Sequence, residues 1–540
     1  MNHRREIGLL VGISIGLIAF TLTPYILAGR AHRPDYFFGG FLLNPIDGNS
    51  YLAKMYQGWR GMWSFNLPYT AEVGKGAYLF LYYLFLGHIA HLSGLELIQV
   101  YHLARLASAI IMLLAINRGL KLLFPERSLY RTAFILIAFG SGLGWLFIMV
   151  GLETSDFWVA ETFPFLSAFS NPHFPLGIAL LIWVLIPTSK EGSYWEAHAK
   201  SNKNIQGWSV ACATFLMGLI SPFGVVIAIA VLGGMVIWEV GNFSMHAVIR
   251  DLTPLTIIGR IRTHVLRSEI GRRFIFTSVA GIPVLLYDLG VTKLDPLLSG
   301  WNAQNQTPAP LIWDLVISLS PVLFLAVPGA WYVLRQGSYS QRVILIWAIL
   351  GLLLVYLPIG LQRRFMMGLY IPLAVLAILG LNRLARGSPH LFNLFSTISI
   401  ILAIPTNLFL LMGAFQGIQT PNPILYLTRE EVEAMDWLEQ NSPSDAVILA
   451  APDTGLFIPS HTGRRVIYGH PYETVNAVQR KLEVSNFFEG ALSDDKSSLL
   501  EVVDYIFFGQ REKAIGGYLP DGGLTEVYRN SSVIIYDVRH

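Results

Sequence analysis

From Ile7 to Ala28 the chain runs for about 22 residues with almost no polar side chain, behind the basic pair Arg4-Arg5. A helix of that length, rising roughly 1.5 Å per residue, crosses the ~30 Å of a bilayer's hydrocarbon. The apolar core is too long for a secretory signal peptide, so the segment reads as an uncleaved anchor with its N-terminus in the cytoplasm. Comparable runs follow at 77–94, 97–120, 132–151, 174–188, 207–221, 223–240, 273–290, 311–334, 343–359, 365–384 and 393–415. About twelve such runs imply an α-helical polytopic membrane protein, because in lipid each backbone polar group has to be paired within its own helix. Composition agrees: 53% of residues are hydrophobic and 14% charged, outside the range of a soluble domain. The net charge of +3 is small and the basic residues cluster between apolar runs, where they set topology rather than bind nucleic acid. The single cysteine, Cys212, lies inside an apolar run, so an intrachain disulfide and a cysteine metal site are both excluded.

The excess of Lys and Arg on cytoplasmic loops places Arg127 with Arg131, Lys190 to Lys203, Arg250 to Arg273, Arg335 to Arg342 and Arg383 to Arg386 on the inner side. The loops at 152–172, 291–310 and 360–364, and everything after Phe415, then fall outside. An inner N-terminus and an outer C-terminus require an odd number of crossings. Either 77–94, with His88, His91 and Gly94, does not span, or a further span lies near 157–170; the expectation is 11 to 13 helices. The membrane domain covers 1–420, with a first outer loop at 29–76. Beyond it charges become frequent, and Thr428 with Glu431 forms a capping box for a helix through Gln440. Short β-rich runs at 446–450, 465–468, 505–508 and 533–538 alternate with helical patterns near 473–489 and 495–502. Residues 421–540 are therefore a small extracytoplasmic α/β domain. It lacks a glycine-rich phosphate loop, so no nucleotide is expected there.

The first outer loop carries Asn44-Pro45-Ile46-Asp47-Gly48-Asn49-Ser50-Tyr51. From Ser50 to Trp63, Leu52, Met55, Tyr56, Trp59 and Trp63 recur at helical spacing with Lys54 and Arg60 between them, the pattern of an interfacial helix with rings at headgroup depth. Asp47 stands at its N-terminus, where the helix dipole favours a carboxylate; a simple N-cap accounts for the same residue.

An acid soon after the first span, an Asp-x-x-x-Tyr stretch, an interfacial helix, many further spans and a small outer tail together resemble the glycosyltransferase-C superfamily, which includes protein mannosyltransferases and the aminoarabinose and oligosaccharyl transferases. The resemblance covers most of the chain in architecture and few residues in motif. It implies a hexosyltransferase-type enzyme whose donor is a sugar on a polyprenyl phosphate or diphosphate, with Asp47 as base and a lipid, glycan or protein as acceptor. Transfer needs a carboxylate to take the acceptor proton and cations to stabilise the departing phosphate. Arg363 and Arg364, in a short outer loop, oppose the charge bias of outer loops, and guanidinium suits phosphate oxygens; snorkelling to headgroups is the alternative. Superfamily members carry a comparable Arg-Phe pair, matched here by Arg364-Phe365.

Members also use a second outer acid for metal or acceptor, and Asp156 and Glu161 are the candidates. His173, at a span entrance, would contact phosphate or acceptor, or else bond a helix end. The resemblance leaves room for a divalent cation, Mg or Mn, but the outer loops contain no Asp-x-Asp, and no metal ligand is assigned. Tyr51 adjoins the base. Trp301, Asn302 and Gln304 offer an aromatic and amides for sugar binding, against plain interfacial anchoring, and His470 would overhang the cavity from the tail. The competing classes are a transporter or flippase of a lipid-linked glycan, which would want broken helices at mid-membrane, and a noncatalytic scaffold, in which Asp47 would be dispensable.

Overall fold

The computed structural model describes residues 3–31, 35–187, 203–248, 265–491, 496–520 and 522–539. Most of two expected inner loops, 190–202 and 250–264, lies outside the described residues. Six of the described helices are long and apolar enough to span: Ile7–Arg30, Leu97–Leu123, Arg127–Ile148, Pro222–Gly241, Glu269–Leu294 and Pro389–Gln419. The pair Ile312–Leu319 and Val322–Gln336, bent by 81°, adds a seventh if it is one span. Its break falls at Ser320-Pro321, where proline supplies no backbone donor. Shorter apolar helices occupy His173–Leu185, Gly207–Ile220, Tyr339–Leu354 and Tyr370–Leu384. The six, the bent pair and these four make eleven apolar segments. The run at 77–94 folds as the 13-residue helix Leu81–Ser93, and 157–170 contains only short turns and the helix Pro164–Phe169.

The chain divides into two compact units: one of Met1–Thr21, Arg105–Tyr287 and Thr307–Met412, the other of Leu22–Ala104, Asp288–Gln306 and Gly413–His540. In the first, Tyr370–Leu384 is the central helix, with all of Tyr370 to Leu381 buried, as expected of a helix apolar all round. It crosses Val322–Gln336 at glycines: a Cβ on Gly329 would lie 1.9 Å from the Leu376 carbonyl oxygen, and one on Gly380 2.2 Å from that of Leu325. Small residues at such crossings let helix backbones approach in lipid.

In the second unit the tail forms one mixed sheet. Its strands are β3 (Val447–Leu449), β4 (Arg465–Val466), β5 (Tyr505–Phe508), β6 (Thr525–Arg529) and β7 (Ile534–Asp537), in the order β4-β3-β5-β7-β6. β3 runs parallel to β4 and β5, while β7 is antiparallel to β5 and β6. Four of these strands fall on the β-rich runs read from the sequence; β6, which contains Glu526 and Arg529, does not. The helix Arg429–Asn441 begins with the expected Thr428/Glu431 capping box. A separate two-stranded sheet pairs β1 (Tyr36–Phe38) antiparallel with β2 (Tyr426–Thr428), joining the first loop to the tail. The first-loop helix, Pro45–Trp59, packs on Leu81–Ser93 at two glycines: a Cβ on Gly58 would sit 2.0 Å from the Leu84 carbonyl oxygen, and one on Gly87 1.9 Å from that of Met55.

Candidate active site

Asp47 occupies the first turn of Pro45–Trp59. The N-cap is Asn44, in the left-handed region at φ 50°, and Pro45 follows it, so Asp47 is not the cap. Asn44 Nδ2 donates instead to Asp47 Oδ2 at 2.6 Å. The carboxylate side chain keeps 37% of its exposure, and its Oδ1 lies 3.5 Å from His470 Nε2. His470 is buried, and its Nδ1 accepts from the backbone N–H groups of Tyr472 and Glu473, each at 3.1 Å. That fixes the neutral ring's proton on Nε2, facing Asp47.

The tail turn that carries His470 is clamped on several sides. Thr474 Oγ1 accepts from Gly469 N and His470 N. Gln304 donates to the Thr474 carbonyl and accepts from Asn476 N at 3.0 Å. Glu473 is the unexpected member. It is buried, accepts from Ser50 Oγ at 2.6 Å, and forms an ion pair with Lys54, which is 0% exposed and lies 4.4 Å from the Phe80 ring centroid. Burial pushes the Glu473 carboxyl up, but the Lys54 charge, His470 and the bonds from Lys54 and Ser50 outweigh it and hold it below its ordinary value. The interfacial reading of this helix does not hold at Lys54, which is buried against Glu473. The helical spacing was correct, but this face is covered by the tail rather than by lipid.

The other expected residues of this unit have structural surroundings. Tyr51 stacks on Tyr83, with centroids 4.2 Å apart and planes at 8°. Trp301 is buried among Phe65, Leu67, Ala77, Leu84, Leu298 and Val475, which removes its ring as an open stacking face. Asn302 is half-buried on the same helix, its carbonyl accepting from Gln306.

The first unit gathers Glu161, Arg363 and Arg364. The arginines lie in the 3-10 turn Gln362–Met366, which is held by Thr307 N to the Gly360 carbonyl and Arg363 N to the Thr307 carbonyl. Glu161 is 4% exposed, and its Oε1 lies 3.8 Å from Arg363 Nε and 3.6 Å from Arg364 Nη1. Both guanidinium side chains are about a quarter exposed, and Arg363 also covers the Trp158 ring at 4.9 Å. Both cations keep exposed donors beside the Glu161 carboxylate. His173 opens the helix His173–Leu185, its ring 4.0 Å from that of Phe174.

Asp156 is separate in character. It is fully buried and accepts from Thr154 Oγ1 at 2.6 Å, Thr406 Oγ1 at 2.9 Å, Gly144 N at 3.1 Å and Ser318 Oγ at 3.3 Å. Burial raises its carboxyl above the ordinary range in spite of those bonds.

No family model matches the chain, and no curated protein matches it. Among solved structures, the apo form of the oligosaccharyltransferase of Archaeoglobus fulgidus aligns with a TM-score of 0.55 and 12% identity over 94% of this chain and 70% of that one. The same enzyme tethered by a disulfide to an acceptor peptide containing the NVT sequon gives 0.53 and 15%, over 94% and 69%. The archaeal oligosaccharyltransferase AglB of that organism, in complex with an inhibitory peptide and a dolichol-phosphate, gives 0.52 and 12%, over 93% and 69%. The chain shares its fold with these oligosaccharyltransferase structures. No three His, Cys, Asp or Glu side chains among the described residues converge as a set that could hold a metal ion. The residues that sequence reasoning missed are Lys54 and Glu473. Ser50 and Lys54 recur at i+3 and i+7 from Asp47, so one helical face carries all three. That spacing was the available signal for Lys54.

Proposed function

We propose that this chain is a membrane glycosyltransferase that moves a sugar from a polyprenyl-phosphate-linked donor to an acceptor on the extracytoplasmic face, with Asp47 as general base. The observation that carries the reading is the Asp47 carboxylate, partly exposed and oriented by Asn44 and His470, within a glycosyltransferase-C fold. An acceptor hydroxyl attacks the anomeric carbon as Asp47 takes its proton; the bond from that carbon to the phosphate oxygen breaks, and its electron pair leaves with the lipid phosphate. The anomeric centre inverts. Arg363 and Arg364 bind that phosphate, whose charge grows as the bond breaks, and Glu161 sets the charge balance beside them. His173 contacts the phosphate or acceptor, while Asp156 acts as scaffold.

A transport reading draws support from one observation, the 81° break between Ile312–Leu319 and Val322–Gln336. The ionisable group beside that break is already committed: Asp314 accepts from Ser155 N at 2.8 Å, Ser155 Oγ at 2.6 Å and Ser318 Oγ at 2.9 Å. Such a clasp favours a structural bend over a substrate path.

The test is sugar transfer from a panel of polyprenyl-phosphate sugars by purified protein in lipid nanodiscs. Asp47→Asn should lower transfer at least ~100-fold, the scale of a lost general base, and Arg364→Ala should weaken donor use. Full transfer by folded Asp47→Asn protein would overturn the assignment.

A further inference from the structure

A buried ion pair, Lys54 with Glu473, lies two turns along the helix that carries Asp47. Asp47, Ser50 and Lys54 stack on one face of Pro45–Trp59. The tail turn lies along that face with His470 at Asp47 and Glu473 at Ser50 and Lys54. The turn is internally stiff, because the His470 ring accepts from its own N–H groups at Tyr472 and Glu473. Fixing Glu473 therefore fixes the imidazole. The Nε2 of His470, buried and without a hydrogen-bond partner among the described residues, stands 3.5 Å from Asp47 Oδ1. That is just beyond a settled hydrogen bond, and a small rotation of the carboxylate closes it.

We infer that Lys54 and Glu473 are positioning residues for Asp47: their pairing seats the tail turn so that His470 directs its Nε2 proton at the carboxylate. The inference rests on the reading of Asp47 as the base. A structural purpose alone is a weak account of the pair, since burying two charges costs desolvation that well-packed apolar residues avoid. The titratable groups that bear on Asp47 are His470 on the turn, Tyr83 on the neighbouring helix Leu81–Ser93, and Lys54 with Glu473 further along.

The decisive variant is the double substitution Lys54→Met with Glu473→Gln in the full chain in nanodiscs. It removes one positive and one negative charge, leaving no lone buried charge and little change in net field at Asp47, whereas either single change would strand its partner. With the His470 donor displaced, the carboxylate loses the facing N–H dipole that favours its charged form. The acid limb of the kcat/KM profile should then move upward by about half a pH unit or more, kcat should fall about 10-fold, and the donor KM should stay within about 2-fold. His470→Ala should move the limb the same way. Lower thermal stability with an unmoved limb would overturn the inference, because a purely structural pair predicts that outcome.

A second measurement does not depend on activity. Imidazole 15N spectra, with the His470 signals assigned by difference from His470→Asn, should show the Nε2–H tautomer in the natural protein and a tautomer mixture in the double variant. Identical spectra would overturn the positioning role. Full transfer by Asp47→Asn would instead sink the reading of Asp47 as base, and the spectra would still decide what the pair does.

Discussion

Asp156 and Glu161 share one loop of the first unit and lie beside different partners. The Asp156 carboxylate receives hydrogen bonds from residues 144, 154 and 406, while the single Ser318 hydroxyl proton is shared between it and the nearer Asp314. It fills the space a side chain at Gly144 would take, since a Cβ there would lie 2.2 Å from Asp156 Oδ1. Glu161 Oε1 instead faces the two guanidinium groups, at 3.6 and 3.8 Å. Both were legible as outer acids, but which was scaffold and which faced the cations was not, because Ser318 and Thr406 lie far along the chain. Asp156→Ala would strand buried donors that cost about 1–3 kcal/mol each when left unpaired. We expect it to lower stability by at least ~3 kcal/mol, with Asp156→Asn losing clearly less, as measured by thermal unfolding in detergent. Equal stability of Asp156→Ala and the natural protein would remove the scaffold assignment. Glu161→Gln should leave the unfolding temperature nearly unchanged in the same assay.

The first-loop helix was readable as an element from its three and four residue spacing, and so was the helix that begins at Thr428. Its surroundings were not, because the residues that cover it arrive from the tail: Lys54 bonds to Glu473, 419 positions later. The amphipathic pattern therefore described a face packed on protein, and the Trp301 ring likewise belongs to a core with Phe65 and Leu67. What holds the helix in place is the crossing with Leu81–Ser93, where Gly58 and Gly87 bring backbone against backbone. At Gly87 the obstructing atom is the Met55 carbonyl oxygen, which cannot swing aside as a flexible side chain can. Gly87→Ala must push the helices apart and should cost ~1–3 kcal/mol, the usual scale of overpacking. Because Met55 and Asp47 ride on the same helix, transfer should also fall, although no reacting group is altered. Thermal unfolding and transfer assays of Gly87→Ala check this together; an unchanged unfolding temperature would mean the crossing yields more easily than its geometry implies.

At the scale of the whole chain, the boundary near residue 420 read from composition marks a change of solvent more clearly than a boundary of folding. The compact unit that contains the tail also takes in 22–104 and 288–306. Several attachments join these pieces. β2 pairs with β1. Ala53 and Tyr69 sit in the same core cluster as Leu427, Ile448, Phe457 and Phe507, with Tyr69 donating to the Leu456 carbonyl at 3.0 Å. Gly463, at φ 68°, packs so closely on the first-loop helix that a Cβ would meet the Tyr56 ring at 2.4 Å. Burial and the bond to Glu439 in the tail push that tyrosine's hydroxyl up to about 12. A domain that folds alone closes its own core, whereas residues 421–540 by themselves would expose the Tyr69 and Ala53 sites, leave β2 without a partner, and strand Glu473 without Lys54. Produced alone, 421–540 should therefore show no cooperative thermal transition by circular dichroism and should bind a dye that reports exposed apolar surface, while the same residues in the full chain unfold cooperatively. A sharp transition in the isolated segment would show that the tail's own sheet suffices, and would recast the first-loop contacts as docking between finished parts.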